Sequence, residues 1–262
     1  MLRSIEQTFH AIPIMDGAGV RVKRVFSYHQ IPAFDPFLLL DHFGSDNPDE
    51  YLAGFPDHPH RGIETITCMI HGELEHRGSP GNRWTLCAGD VQWMTAGSWI
   101  NLPAKQKMCA PKYENISSKS VPGIMSPEGC VIELISGTLF DRKGPAEGTA
   151  VASLSFEAVL PENGSIAIPI EEGHTIFVYT ASGSVGFSED PEKMVKQGSV
   201  ALMSRTGSLF MKTEHHGCRL MIGAAAPISE PIAWRGSIVM NTEAELDAAF
   251  REYKEGFFLK HT

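Results

Sequence analysis

Glycine and proline cut this chain into short runs of alternating polar and apolar residues, and that spacing constrains its fold more than any other feature. Residues 64–70 (ETITCMI) are rich in β-branched side chains and end at His71-Gly72. Residues 73–77 (ELEHR) then alternate, so the stretch reads as strand, tight turn, strand. A loop at Gly78-Ser79-Pro80-Gly81-Asn82, a strand at 83–86, a turn at Ala88-Gly89-Asp90 and a strand at 91–94 follow. The 25 glycines and 17 prolines among 262 residues are about a third above the usual share. Dispersed in this way, they predict an all-β chain.

The grammar recurs. Residues 174–179 form a strand, Ala181-Ser182-Gly183 a turn and residues 184–187 the returning strand. Gln197-Gly198-Ser199 leads into Val200-Ala201-Leu202-Met203 much as Ala88-Gly89-Asp90 leads into Val91-Gln92-Trp93-Met94. Gly72 to Gly183 and Gly89 to Gly198 share an offset of about 110 residues, which predicts two related β-barrel halves. One helix is signalled near the end. Thr242-Glu243-Ala244-Glu245 is a capping box, Leu246, Ala249, Phe250 and Tyr253 share one face, and Gly256 suits a left-handed C-cap. It reads as a structural helix outside a barrel.

Composition narrows the function classes. With 22 basic and 31 acidic side chains the formal net charge is −9, which repels phosphate backbones and argues against a nucleic-acid partner. No apolar run approaches the ~18 residues of a membrane span. The five cysteines, Cys68, Cys87, Cys109, Cys130 and Cys218, contain no CxxC pair and read as free thiols in a reducing compartment. The first residues carry no apolar signal segment. A cytoplasmic, monomeric protein is expected.

Of eleven histidines, most have structural readings. His10, His29 and His261 lie near the termini or in turns, His215-His216 in a surface loop, and His42 at a hydrogen-bonded strand end. His58-Pro59-His60 differs. In an extended segment, imidazoles at i and i+2 point to one side, as adjacent metal ligands must. Pro59 restricts His58 to extended geometry. Placed on the first strand of a barrel and followed by Glu64, the pair resembles the first cupin motif.

Longer blocks sharpen the resemblance. Residues 55–65 (FPDHPHRGIET) and 89–97 (GDVQWMTAG) resemble the signatures of the pirin family. So do residues 34–43 (FDPFLLLDHF), 101–105 (NLPAK) with 110–113 (APKY), and 230–234 (EPIAW) with 238–242 (IVMNT). The resemblance implies an all-β bicupin of two jelly-roll barrels with a short C-terminal helix, an N-terminal domain over residues 1–135 and a C-terminal domain over 136–262. It implies metal in the N-terminal barrel alone, Fe(II) or another divalent transition metal, with His58 and His60 on the first two family ligands. Some bacterial members act as quercetin 2,3-dioxygenases, and a eukaryotic relative is a metal-dependent transcriptional co-regulator.

The chain departs from the family where the other two ligands belong. There a His, and a Glu two positions on, follow the threonine-alanine-glycine; counting from Gly97 puts them at Leu102 and Ala104, which bind no metal. A gap at Ser98–Trp99 of about 15–20 residues, a strand end, a loop and most of another strand, aligns the chain better. Deleting paired strands exposes backbone edges, so this junction is where chain geometry is decisive: trans-bonded neighbours have Cα atoms ~3.8 Å apart. If the segment is absent, His58 and His60 hold metal loosely, His76 is a spare ligand or a strand residue paired with Glu73 or Glu75, and Glu64 is an added ligand or orients a histidine. Two functions follow: an oxygenase acting on a flavonol-like substrate, or a non-catalytic, redox-sensing or regulatory module with a protein partner.

Overall fold

The computed structural model describes residues 1–30, 33–78, 82–95, 100–147, 151–188 and 193–258. The Ser98–Trp99 junction lies outside them. The described residues are strands and turns, with one α-helix, Glu243–Lys254.

The strand–turn–strand expected around Gly72 is a different object. Ile63–Cys68 does not pair with Glu73–Gly78; it pairs with Val91–Thr95, while Glu73–Gly78 pairs with Asn82–Cys87. The four strands make one long ribbon, closed at Gly78↔Asn82 and open at Glu64↔Thr95. Gly72 (φ +78°) and Gly89 (φ +85°) bend it from one sheet into the next. A turn glycine marks a sharp change of direction, and here the change is a barrel corner.

The second half repeats the ribbon. Thr175–Ser182 pairs with Ser199–Met203, Ser184–Gly186 with Met194–Lys196, and the corners are Gly183 (φ +73°) and Gly198 (φ +78°). Ile66↔Trp93 in the first ribbon matches Phe177↔Leu202 in the second. Around the second ribbon a seven-stranded sheet runs Ile5–His10, Ser199–Met203, Thr175–Ser182, Cys218–Ala225, Ser153–Leu160, Val131–Ser136, Gly123–Met125. A four-stranded sheet faces it. The division expected at residue 135 therefore falls within a strand of this sheet, and the chain's first strand also belongs to it.

The first half has a four-stranded sheet in the order Lys112–Ile116, Val91–Thr95, Ile63–Cys68, Ile100–Asn101. Its last strand occupies the place that Cys218–Ala225 takes in the second half: Glu64 pairs with Ile100 as Thr175 pairs with Ala225. Seven positions carry the chain from Trp93 to Ile100, and twenty-three carry it from Leu202 to Ala225, sixteen more. The extra length includes strand Leu209–Lys212 and most of Cys218–Ala225. The shortfall expected from the resemblance thus reappears as a difference between the two halves of one chain.

The halves meet face to face. Val91, Trp93, Ile100 and Ile116 pack against Phe177, Tyr179, Val200, Leu202 and Ala225. Phe177 also takes the edge of Phe37, with ring centroids 4.9 Å apart. Thr175–Ser182 is buried on both faces for all but its last residue, which explains its nearly unbroken apolar run. His42, expected at a strand end, shares a 2.6 Å hydrogen bond with the Tyr179 hydroxyl across the interface. The C-terminal helix has the expected capping box and a positive φ at Gly256. Leu246 and Ala249 are buried, whereas Tyr253 is half-exposed. Among the described residues, no helix is long and apolar enough to cross a membrane.

Candidate metal centre in the N-terminal half

Matched positions in the two ribbons show where polar chemistry sits. In the second half Ile176↔Met203 and Val178↔Ala201 point into a closed apolar core. The same positions in the first half are Thr65↔Met94 and Thr67↔Gln92. Tyr113 and Asn115 lie opposite Met94 and Gln92 on the neighbouring strand. One barrel is filled with hydrocarbon; the other carries hydroxyl, amide and imidazole groups inside.

Gln92 organises that interior. It is fully buried, its Nε2 donates to Asn115 Oδ1 at 2.8 Å, and its Oε1 is 2.5 Å from His76 Nδ1. A carbonyl oxygen only accepts, so His76 Nδ1 is the donor in this bond. The Trp84 ring stands edge-on to His76 and stacks on Tyr113 with centroids 5.4 Å apart. The pairing of His76 with Glu73 or Glu75 gives way to this buried amide.

His58-Pro59-His60 lies in the segment before the sheet, not on its first strand, which begins at Ile63. The one-sided arrangement expected of the pair is present: the rings are 4.4 Å apart and nearly perpendicular. His58 is exposed and its Nδ1 donates to Pro56 O at 2.6 Å, so Nε2 is the ring nitrogen left to face a ligand. His60 is half-buried. Burial pushes its imidazole down to about 3, and the charges of His58 and His76 add to the shift. Neutral imidazole is the form a transition metal binds.

Glu64 is fully buried, and strand alternation puts it on the side of Ile66 and Cys68, away from Thr65 and Thr67. Leu102 is buried and Ala104 opens a short 3₁₀ turn. Asp90, from the second motif, serves its corner: its carboxylate accepts from the backbone N–H groups of Cys87 and Ser118. His215 and His216 are exposed in a loop, as expected.

Sequence reasoning missed the groups that hold the pair. Ser237 Oγ donates to Pro59 O at 2.5 Å. Arg61 reaches Glu252 at 2.7 Å and the Phe258 carbonyl at 2.5 Å. Lys107 Nζ donates to Gly62 O at 3.2 Å and Asn101 Oδ1 at 2.5 Å. Gln92 and Arg61 lie inside the recognised motifs; Ser237 and Glu252 carry no local signal.

Comparison with known proteins matches the same halves. Residues 19–110 match the pirin family model and residues 155–259 the pirin C-terminal cupin domain. A Pseudomonas aeruginosa protein provisionally named a quercetin 2,3-dioxygenase is 35% identical, over 93% of this chain and 94% of its own. The chain belongs to the pirin family. Pirin of Homo sapiens is 31% identical over 92% of this chain and 90% of its own. The crystal structure of an Acinetobacter baumannii quercetin 2,3-dioxygenase superposes with a TM-score of 0.89 at 29% identity, covering 98% of this chain and 99% of that one.

A pirin-family metal meets only part of a donor set here. Two neighbouring imidazoles suit a borderline divalent metal. Among the described residues, no group of three or more His, Cys, Asp or Glu side chains is placed to hold one. The residues between Thr95 and Ile100 are Ala96, Gly97, Ser98 and Trp99, none of which carries an imidazole or a carboxylate. The described residues therefore offer two neighbouring imidazoles and do not complete a two-His-one-carboxylate or three-His-one-carboxylate centre.

Proposed function

We propose that this chain is a metal-binding pirin-type bicupin in which His58 and His60 hold Fe(II) or another divalent transition metal weakly, and that it works as a binding or redox-responsive regulatory module rather than an oxygenase. One observation carries the reading: matched strand registers leave the N-terminal half sixteen residues short of its sister at the point where further ligands would enter. Among the described residues neither His76 nor Glu64 is grouped with the pair as a third ligand, and Glu64 lies on the strand face away from Thr65 and Thr67. When bound, the metal supplies Lewis acidity and a site for a chelating enediol or hydroxyketone. The chain's own part is to present the imidazoles of His58 and His60 beside a polar interior that includes Thr65, Thr67 and Gln92. The charge of −9 favours a protein partner over nucleic acid.

A second reading, oxygenation of a flavonol-like substrate, is favoured by the names of the similar Pseudomonas and Acinetobacter proteins. Metal analysis after gentle purification, followed by oxygen uptake with quercetin under saturating Fe(II), separates the two. The expected result is well under one equivalent of metal, weak Fe(II) binding lost in His58→Ala and His60→Ala, and no quercetin-dependent uptake. One tightly held equivalent with flavonol-dependent oxygen consumption would establish the oxygenase instead.

A further inference from the structure

The histidine pair sits on a segment with no ladder of its own, yet Pro59, Arg61 and Gly62 are each held by contacts from elsewhere in the chain. The restraint comes from the other end of the chain. Ala233–Arg235 and Ile238–Met240 form a hairpin. With the helix they make a small core of Ala233, Ile238, Met240, Leu246 and Ala249, flanked by Phe250 and Phe258. This unit grips the segment at consecutive points. Ser237 Oγ holds Pro59 O at 2.5 Å, and the Val239 N–H donates to Arg61 O at 2.9 Å. Arg61 bridges in parallel to Ile238. At Gly62 (φ +80°) a Cβ would stand 1.7 Å from Val239 O, so the backbones touch directly.

The Arg61 side chain locks the grip. It is 8% exposed, its guanidinium donates to Glu252 and to the Phe258 carbonyl, and it lies 3.9 Å from the Phe258 ring centre. A guanidinium so engaged has little left for a ligand; its geometry is spent on the fold.

We propose that the C-terminal hairpin and helix are a positioning clamp for the metal pair, with Ser237 acting on Pro59 and Glu252 acting through Arg61 to set the spacing of His58 and His60, across 178 and 191 residues of sequence. The proposal rests on the metal-binding reading for its purpose, while the clamp itself is defined by contacts within the chain. A loosely held ion makes pre-organisation of its two imidazoles worth more, because no further ligand corrects a misplaced ring.

The experiment uses the full chain with labelled histidines and two readouts. In the metal-free protein, nuclear Overhauser contacts between the His58 and His60 rings report their 4.4 Å packing. Calorimetric titration with Ni(II) reports affinity. Glu252→Ala and Ser237→Ala are expected to weaken the inter-ring contacts and to lower Ni(II) affinity about tenfold each, with Glu252→Gln intermediate. Arg235→Ala, which removes exposed pairs with Glu243 and Asp247 and a contact over the Phe250 ring but touches neither Pro59 nor Arg61 through its side chain, is expected to change neither. Unchanged ring contacts in both Glu252→Ala and Ser237→Ala overturn the clamp, whatever the stability of those variants. If the unsubstituted protein takes up no Ni(II), the metal-binding reading fails and the ring contacts alone decide the clamp.

Discussion

Replacing Gly62 by alanine tests whether contact between the two ends of the chain is as close as described. Gly62 has φ +80°, and an added Cβ would lie 1.7 Å from Val239 O and 3.4 Å from Lys107 Cδ. A left-handed backbone costs a non-glycine residue roughly 1–2 kcal/mol. Relieving the overlap moves the hairpin by more than ~1 Å, enough to break the Val239–Arg61 backbone bond, about 1 kcal/mol net. It also strains the Lys107 bond to Gly62 O, roughly 1.5–3 kcal/mol as a charged donor. The expected loss is on the order of 3–6 kcal/mol, beyond the usual range for a point substitution. The internal control is Gly72→Ala, whose φ is +78° but whose Cβ would meet nothing within 4 Å; it is expected to lose only the backbone cost of roughly 1–2 kcal/mol. Urea unfolding of both variants, followed by circular dichroism, gives the comparison. Losses equal to within about 1 kcal/mol would refute the steric argument.

Gln92→Leu removes both bonds of a fully buried amide and is expected to cost roughly 1–3 kcal/mol; in ¹⁵N spectra His76 is expected to lose its Nδ1–H tautomer preference, and an unchanged tautomer would contradict the His76–Gln92 bond. Lys107 is pushed down to about 8 by burial, against the opposing pull of Glu230 and Glu245. The folded protein therefore releases this proton before the unfolded chain does, so the penalty is complete below pH ~8 and relieved as pH rises toward ~10.5. Relative to Lys107→Met, the native protein is expected to gain on the order of 3 kcal/mol over that window, and a flat difference in urea unfolding from pH 7.5 to 10.5 would count against a buried ammonium.

Much of this site was legible residue by residue. His58 and His60 stand together as their spacing implies, Thr242 and Glu245 cap the helix, and the glycine offset marks corners shared by both halves. In sequence the corner at Gly72 is indistinguishable from a hairpin, because a turn glycine looks alike whether the chain returns on itself or crosses to another sheet. The partner of His76 is hidden for a related reason: neighbouring glutamates are visible in sequence, but Gln92 reaches His76 only across a folded ribbon.

What the sequence by itself determined is the repeated strand plan, the histidine pair and the missing length, since periodicity and counting need no third dimension. Tertiary structure alone decided which face of each strand looks inward. Alternation separates two faces without saying which one is solvent, core or cavity, so only packing shows that Thr67 and Gln92 line one barrel where Val178 and Ala201 fill the other. It also decided what holds His58 and His60 in place: Ser237 and Glu252 act through contacts that exist only after the last 30 residues fold back onto the first barrel.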